Sequence, residues 1–230
     1  MKHIVFFAVF GLGMLWASSC VKEEDPIDPV SFDFAKQQHG WVAGFADYSD
    51  TYEELQLNAE MALLPEPLNP SGKITGLKVQ GNNRPDDLFM FIKRKMTGLK
   101  PNKQYIVNAT IRFASDAPKG GIGIGGAPGE AVFMKAGAVN FEPTVSKNAQ
   151  GTYTVNLDKG NQGQGGKDMK IIGNIAKPDD GSGYVSLVRK AEGITVKTND
   201  QGEFWLIIGT DSGYEGMTRL YYQQIDVRIE

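Results

Sequence analysis

Carboxylates are the side chains best placed to do chemistry in this sequence. Asp86, Asp87, Glu130, Asp158, Asp211 and Glu215 all fall where turns or strand ends are expected. Two acids about 5–9.5 Å apart across a cleft can hydrolyse a glycosidic bond, one donating a proton while the other attacks or activates water. Spacing along a chain does not set that distance, and acids at turns equally serve as caps and solvated corners. Histidine chemistry has little to work with. The chain holds two histidines, His3 and His39, whereas a Ser-His-Asp relay needs a positioned shuttle and a His-based zinc site needs several ligands.

Two short motifs fail on context. Gly121-x-Gly123-x-x-Gly126 has dinucleotide-loop spacing, but Ala127-Pro128-Gly129 makes another turn where a helix should begin. Asp211-Ser212-Gly213 follows the apolar run Trp205–Ile208 and resembles the turn of aspartic proteases. That chemistry takes two aspartates sharing a proton, and the motif occurs once. The expectation is a chain that is not an enzyme, a carboxylate-dependent glycoside hydrolase being the less favoured alternative.

Binding is the better prospect. Sugars are held by flat aromatic faces against their C–H surfaces, with amide, carboxylate and guanidinium groups on their hydroxyls. Trp41 and Tyr214 are candidate faces, Tyr214 because it stands in the glycine-flanked turn Gly213-Tyr214-Glu215-Gly216. Asn82, Asn83, Arg84, Asp86, Asp87 and Glu215 are the candidate polar set. Trp205 and Tyr221 lie inside apolar runs and read as packing.

The elements that must position these groups begin after the N-terminus. Met1-Lys2-His3, the apolar run Ile4–Trp16 and small Ala17-Ser18-Ser19 have the form of an export signal. The run is shorter than the roughly 20 residues a membrane-spanning helix takes. Cys20 is the chain's only cysteine and stands at the expected cut. Residues 20–31, with acids and Pro26 and Pro29, read as an extended tether reaching at most about 40 Å at roughly 3.3–3.6 Å per residue. With the signal removed, Lys2 goes with it, and 23 basic against 27 acidic side chains leave a net charge of −4. No basic stripe offers itself to nucleic acid.

From residue 32 to 230 a single domain is expected, rich in glycine and in short apolar runs of period two. Tyr105, Val107, Ala109, Ile111 and Phe113 share one face of the clearest strand. Further strands are expected at 87–96, 131–139, 151–157, 169–175, 184–188, 194–197, 203–208 and 220–229, the last with Tyr221, Ile225, Val227 and Ile229 on one face. About a dozen strands with frequent turns predict an all-β, antiparallel β-sandwich.

Several resemblances add to this. Ala17-Ser18-Ser19-Cys20 resembles the lipobox of bacterial lipoproteins, departing from it in having Ala17 where leucine is usual, and implies lipidation of Cys20. Lys22-Glu23-Glu24-Asp25 resembles the signal that sends Bacteroidetes lipoproteins to the outer face of the outer membrane. Phe32-Asp33-Phe34 with Gly40-Trp41, then Leu99 to Tyr105, then Ile225-Asp226-Val227, resemble the galactose-binding and carbohydrate-binding jelly rolls. That likeness implies a structural calcium joining Asp33 to Asp226. Blocks such as Gly123 to Glu130 and Gly209 to Gly216 are similar to an uncharacterised family of secreted bacterial proteins, which transfers no catalytic role. Together these imply a surface lipoprotein whose sandwich binds a glycan without catalysis, or, as the alternative, docks a partner protein in a structural or assembly role at the cell surface.

Overall fold

The computed structural model describes residues 27–84, 87–179 and 181–230, so Cys20, the signal, the first part of the tether and Asp86 lie outside the described residues; the end of the expected tether, Val30 and Ser31, already belongs to the first strand of the sandwich. Among those described there are fourteen strands and no helix. Every strand pair is antiparallel, and two large sheets face each other across the main core. The chain is an antiparallel β-sandwich.

One sheet runs β12 (Val185–Lys197), β7 (Gln104–Ser115), β14 (Met217–Ile229), β5 (Thr75–Asn82) and β4 (Asn58–Leu63), with β1 (Val30–Asp33) also paired to β14. The facing sheet runs β11 (Met169–Asn174), β8 (Val132–Val139), β13 (Phe204–Ser212), β6 (Leu88–Met96) and β2 (Val42–Ala46). Alternation decides what each strand gives to the core, because successive side chains point to opposite faces. Val107, Ala109, Ile111 and Phe113 of β7 thus meet Met134, Ala136, Leu206 and Ile208 of the other sheet.

Strand β6 departs from alternation. Leu88, Phe89, Met90, Phe91 and Ile92 are all buried, because a third layer covers the outer face of its sheet. That layer is the small sheet of β3 (Tyr48–Ser49), β10 (Thr152–Val155) and β9 (Val145–Lys147), continued by the segment 156–168. Beneath it Phe89, Phe91, Val139, Met169 and Ile207 form a second apolar cluster.

Two register shifts change the expected faces. A bulge between Tyr222 and Gln224 moves Tyr221 to the outer side of β14, where it packs on Leu64, Ala114 and Tyr184, while Tyr222, Ile225 and Val227 enter the core. A bulge adds a residue to one strand and so inverts the alternation beyond it. The runs expected separately at 184–188 and 194–197 are one strand, β12, bulged between Ala191 and Ile194.

Candidate functional site

Three places in the sandwich gather polar chemistry. The driest lies between the five-stranded sheet and its cap. Lys135 on β8 and Asp211 on β13 sit diagonally on the sheet's outer face, with side chains wholly buried and Nζ 2.7 Å from Oδ2. Lys135 also donates to the carbonyls of Lys159 and Gln164, each at 2.8 Å, so its three protons are all used. Lys159, from the cap, places Nζ 2.8 Å from Asp211 Oδ2, 2.8 Å from Asp47 Oδ2 and 4.0 Å from Asp87 Oδ2, over the ring of Phe89.

Charge in this cluster balances through one proton. Burial, a hydrogen bond with Asp211, and the charges of Asp211 and Asp47 push the Asp87 carboxyl up to about 8, against the opposing pull of Lys159. Burial also pushes Asp211 up, but Lys159, the hydrogen bond from Asp87 and the two lysine donors outweigh it, and Asp211 is held below the usual carboxylate range. At neutral pH, Asp87 is therefore protonated, while Asp211 is ionised beside the lysines. One oxygen each of Asp47, Asp87 and Asp211 lies within 4.8 Å of the others. Lysine ammonium groups supply the cationic partners there. Two acids do face each other, as a hydrolase would need, yet the Asp211 side chain is fully buried and its Oδ2 is held by two lysines, leaving a substrate no access.

The second place is a groove of about 240 Å³ at the loop end of the sandwich. Asp116 follows β7, Tyr214 sits in the turn between β13 and β14, and Met217, Thr218 and Arg219 open β14. Pro118, Pro128 and Ile175 complete its apolar wall. Three loops are knitted together here by backbone bonds from Gly213 to Ala131, from Glu215 to Ile124 and from Ile175 to Gly129.

Tyr214 is held firmly. Its carbonyl accepts from Asn83 Nδ2 at 3.0 Å and Ser212 Oγ at 2.9 Å, and its ring lies so close to Gly123 that a Cβ there would come within 2.5 Å of it. Gly125, at φ +73°, lets the neighbouring loop pass against Gly213, whose carbonyl oxygen would be 1.9 Å from an added Cβ. Arg219 Nε donates to Gln80 Oε1 at 2.9 Å. Tyr184 stands beside Arg219 and Asp116, and its hydroxyl is pushed up to about 12 by burial, then by Asp116 and Tyr221. Thr218 is buried, and its hydroxyl has no hydrogen-bond partner.

The third place is a depression of about 490 Å³ on the outer face of the six-stranded sheet, lined by Asn108, Thr110, Lys190, Asp226 and Arg228 among others. It is larger, but no aromatic side chain lines it. The loop-end groove combines an aromatic residue with both signs of charge, and size alone does not outweigh that chemistry.

The expected site residues separate accordingly. Tyr214 lines the loop-end groove, and Asn83 holds it there. Asn82 donates to the Glu54 carbonyl, and Arg84 pairs with Glu54 at 2.8 Å, so both pin the segment before β4. Glu215 follows Tyr214 and bonds Ile124 through its backbone. Asp87 belongs to the buried cluster. The expectation for Trp41 is corrected: it is completely buried, edge-on to Phe32 at 5.7 Å, and presents no face to a ligand.

Asp33 and Asp226 lie on paired strands but two residues out of register, Asp33 opposite Gln224. Asp33 accepts from Ala35 N–H and pairs with Lys36, and Asp226 accepts from Gln224. Calcium takes six to eight oxygens; no third acid joins this pair among the described residues, where the one trio of acids is that of Asp47, Asp87 and Asp211. The pair alone does not fit a calcium site.

Sequence reading missed Asp47, Lys135, Lys159, Asp116, Arg219 and Thr218. A signal existed for Lys135: a lone charge within the apolar run 132–139, balanced by the acid ending the apolar run 204–210.

The chain matches no known protein family and no curated protein. Solved structures give loose similarity. A putative sugar binding protein from Bacteroides thetaiotaomicron aligns at TM-score 0.38 and 11% identity, over 86% of this chain and 91% of that one. The Caldicellulosiruptor saccharolyticus module CBM27-1, solved with mannohexaose, aligns at 0.36 and 10%, over 86% and 96%. A carbohydrate-binding module of the β-sandwich superfamily aligns at 0.38 and 12%, this chain covering 58% of its length.

Proposed function

We propose that this chain is a membrane-tethered, noncatalytic binding protein that takes a sugar residue of a surface glycan in the loop-end groove. The observation that carries this reading is that one aromatic residue, Tyr214, and side chains of both charge signs, Asp116 and Arg219, line one small groove. The groove suits one ring more than a long polymer.

Direction supports the tethering part. The chain enters the sandwich at Val30, opposite Val227, whereas the groove lies at Met217 on the same strand. That span of β14 places the groove roughly 30 Å from the point of entry, at about 3.3 Å per residue. A lipid on Cys20 after loss of residues 1–19 would leave the groove facing away from the membrane, and, if the anchor sits on the outer face, towards the exterior.

A glycan array probed with the full chain tests the proposal. Binding to a defined sugar, weakened about tenfold or more by Tyr214→Ala, which corresponds to about 1.4 kcal/mol, is the expected result. Absence of any glycan binding, or binding indifferent to both Tyr214→Ala and Arg219→Ala, overturns it. A second reading, docking of a partner protein at the surface, is favoured by the full exposure of Ile122 and the high exposure of Ile124 on the adjoining glycine loop.

A further inference from the structure

The buried lysine–aspartate cluster holds every group that an amide condensation needs. We propose that Lys159 and Asp211 join covalently through a side-chain amide, fastening the cap to the five-stranded sheet.

Position comes first. Lys159 Nζ is 2.8 Å from Asp211 Oδ2, one bond from the carbon it would attack, and the two residues stand on different layers, 52 positions apart. Holding reactants at contact in one geometry replaces an improbable encounter with a unimolecular step. Asp211 is fully buried, Lys159 nearly so, and Phe89 covers the ammonium. Exclusion of water favours condensation over the reverse hydrolysis.

Each neighbour has a role set by its distance. Asp47 Oδ2, 2.8 Å from Lys159 Nζ, takes a proton from the ammonium and frees the lone pair. Lys135 Nζ, 2.7 Å from Asp211 Oδ2, polarises the carboxyl and stabilises the oxyanion that forms on attack. Asp87, one of whose carboxyl oxygens lies within 4.8 Å of one of Asp211 and whose carboxyl burial pushes up to about 8, donates to the departing oxygen.

The balance closes without any co-reactant. The N–C bond forms, one C–O bond of Asp211 breaks, and two of the three ammonium protons leave with that oxygen as water, relayed through Asp47 and Asp87. Both relay acids end as they began. The product keeps Lys135 as a cation and Asp47 as an anion, so the site stays neutral.

Mass spectrometry of the folded full chain decides the matter. The expected result is an intact mass lower by one water than the same chain's unjoined mass, a digest in which the peptides bearing Lys159 and Asp211 are linked, and an unshifted mass for Lys159→Arg. Asp87→Asn, which keeps a hydrogen-bonding side chain but has no acid proton, should slow the joining by about a hundredfold, the size of a general-acid contribution. A wild-type mass without the loss, with both peptides recovered separately, overturns the proposal. A loss of one water with Lys135 as the joined residue overturns the assignment to Lys159. Glycan binding is a separate readout, so neither result depends on the loop-end groove.

Discussion

Asn83 donates its side-chain amide to the backbone carbonyls of both Ser212 and Tyr214, at 2.9 and 3.0 Å, and so fixes the turn that carries the groove's aromatic ring. Asn83 is almost wholly buried. Asn83→Ala removes both of these bonds; the Tyr214 carbonyl keeps the one from Ser212 Oγ, and the net loss is about 1–3 kcal/mol where burial is complete. Gly123→Ala instead pushes a methyl group into the Tyr214 ring. Both variants should weaken glycan binding severalfold or more, and in chemical denaturation both should lose stability, since the added methyl at Gly123 also meets the Gly126 carbonyl oxygen. A Gly123→Ala protein that binds as well as wild type would show that the ring's position is unimportant.

Asp87 gives stability a pH dependence of known sign. Its carboxyl is raised from 3.8 to about 8 by burial first and by Asp211 next. In the unfolded chain it ionises near the ordinary carboxylate value, so between these limits the folded state binds more protons. The stabilisation is complete below about 4 and is lost as pH rises through about 8. While it is a free carboxyl, Asp211 is shifted the other way, and its contribution is lost as pH falls below the usual carboxylate range; once joined to Lys159 it no longer titrates. Because burial is the largest cause for Asp87, its direction holds whether or not Asp211 is joined to Lys159. Unfolding midpoints measured from pH 5 to 9 should decline for wild type, and Asp87→Asn should flatten that decline.

Trp41 is a test of the core. It is buried against Phe32 and Phe34, although its indole N–H lacks a partner. Trp41→Ala should cost about 3–5 kcal/mol of stability, the usual range for emptying a large aromatic site. Trp41→Phe should restore much of it and bind glycan like wild type. A selective loss of binding in Trp41→Phe, at unchanged stability, would return Trp41 to the ligand site.

The all-β class and most later strands were legible because a sheet with one face in the core writes its alternation into the sequence. Strand β7 shows it plainly, its odd-numbered positions from Tyr105 to Phe113 all buried. Strands β4 and β5 were not legible. In Asn58–Leu63 and Thr75–Asn82, small and polar residues blur the period, and pairing with β14 supplies what local pattern lacks. The bulge after Tyr222 was also invisible, since one extra residue leaves composition unchanged while reversing the face of Tyr221.

Tyr214 could be singled out as a glycine-flanked aromatic, and Asp87 and Asp211 as acids at strand ends. Their company could not be read. The sequence by itself determined the sandwich class, the scarcity of histidine and cysteine, and the binding-capable turn at Tyr214, because residue type and period are local properties. Only the tertiary structure decided that Asp87 and Asp211 meet two buried lysines, and that Asp116, Arg219 and Thr218 converge on Tyr214. The cluster and the meeting of Asp116 with Tyr214 join residues tens of positions apart, and cross-strand register and the third layer, not local sequence, bring them together.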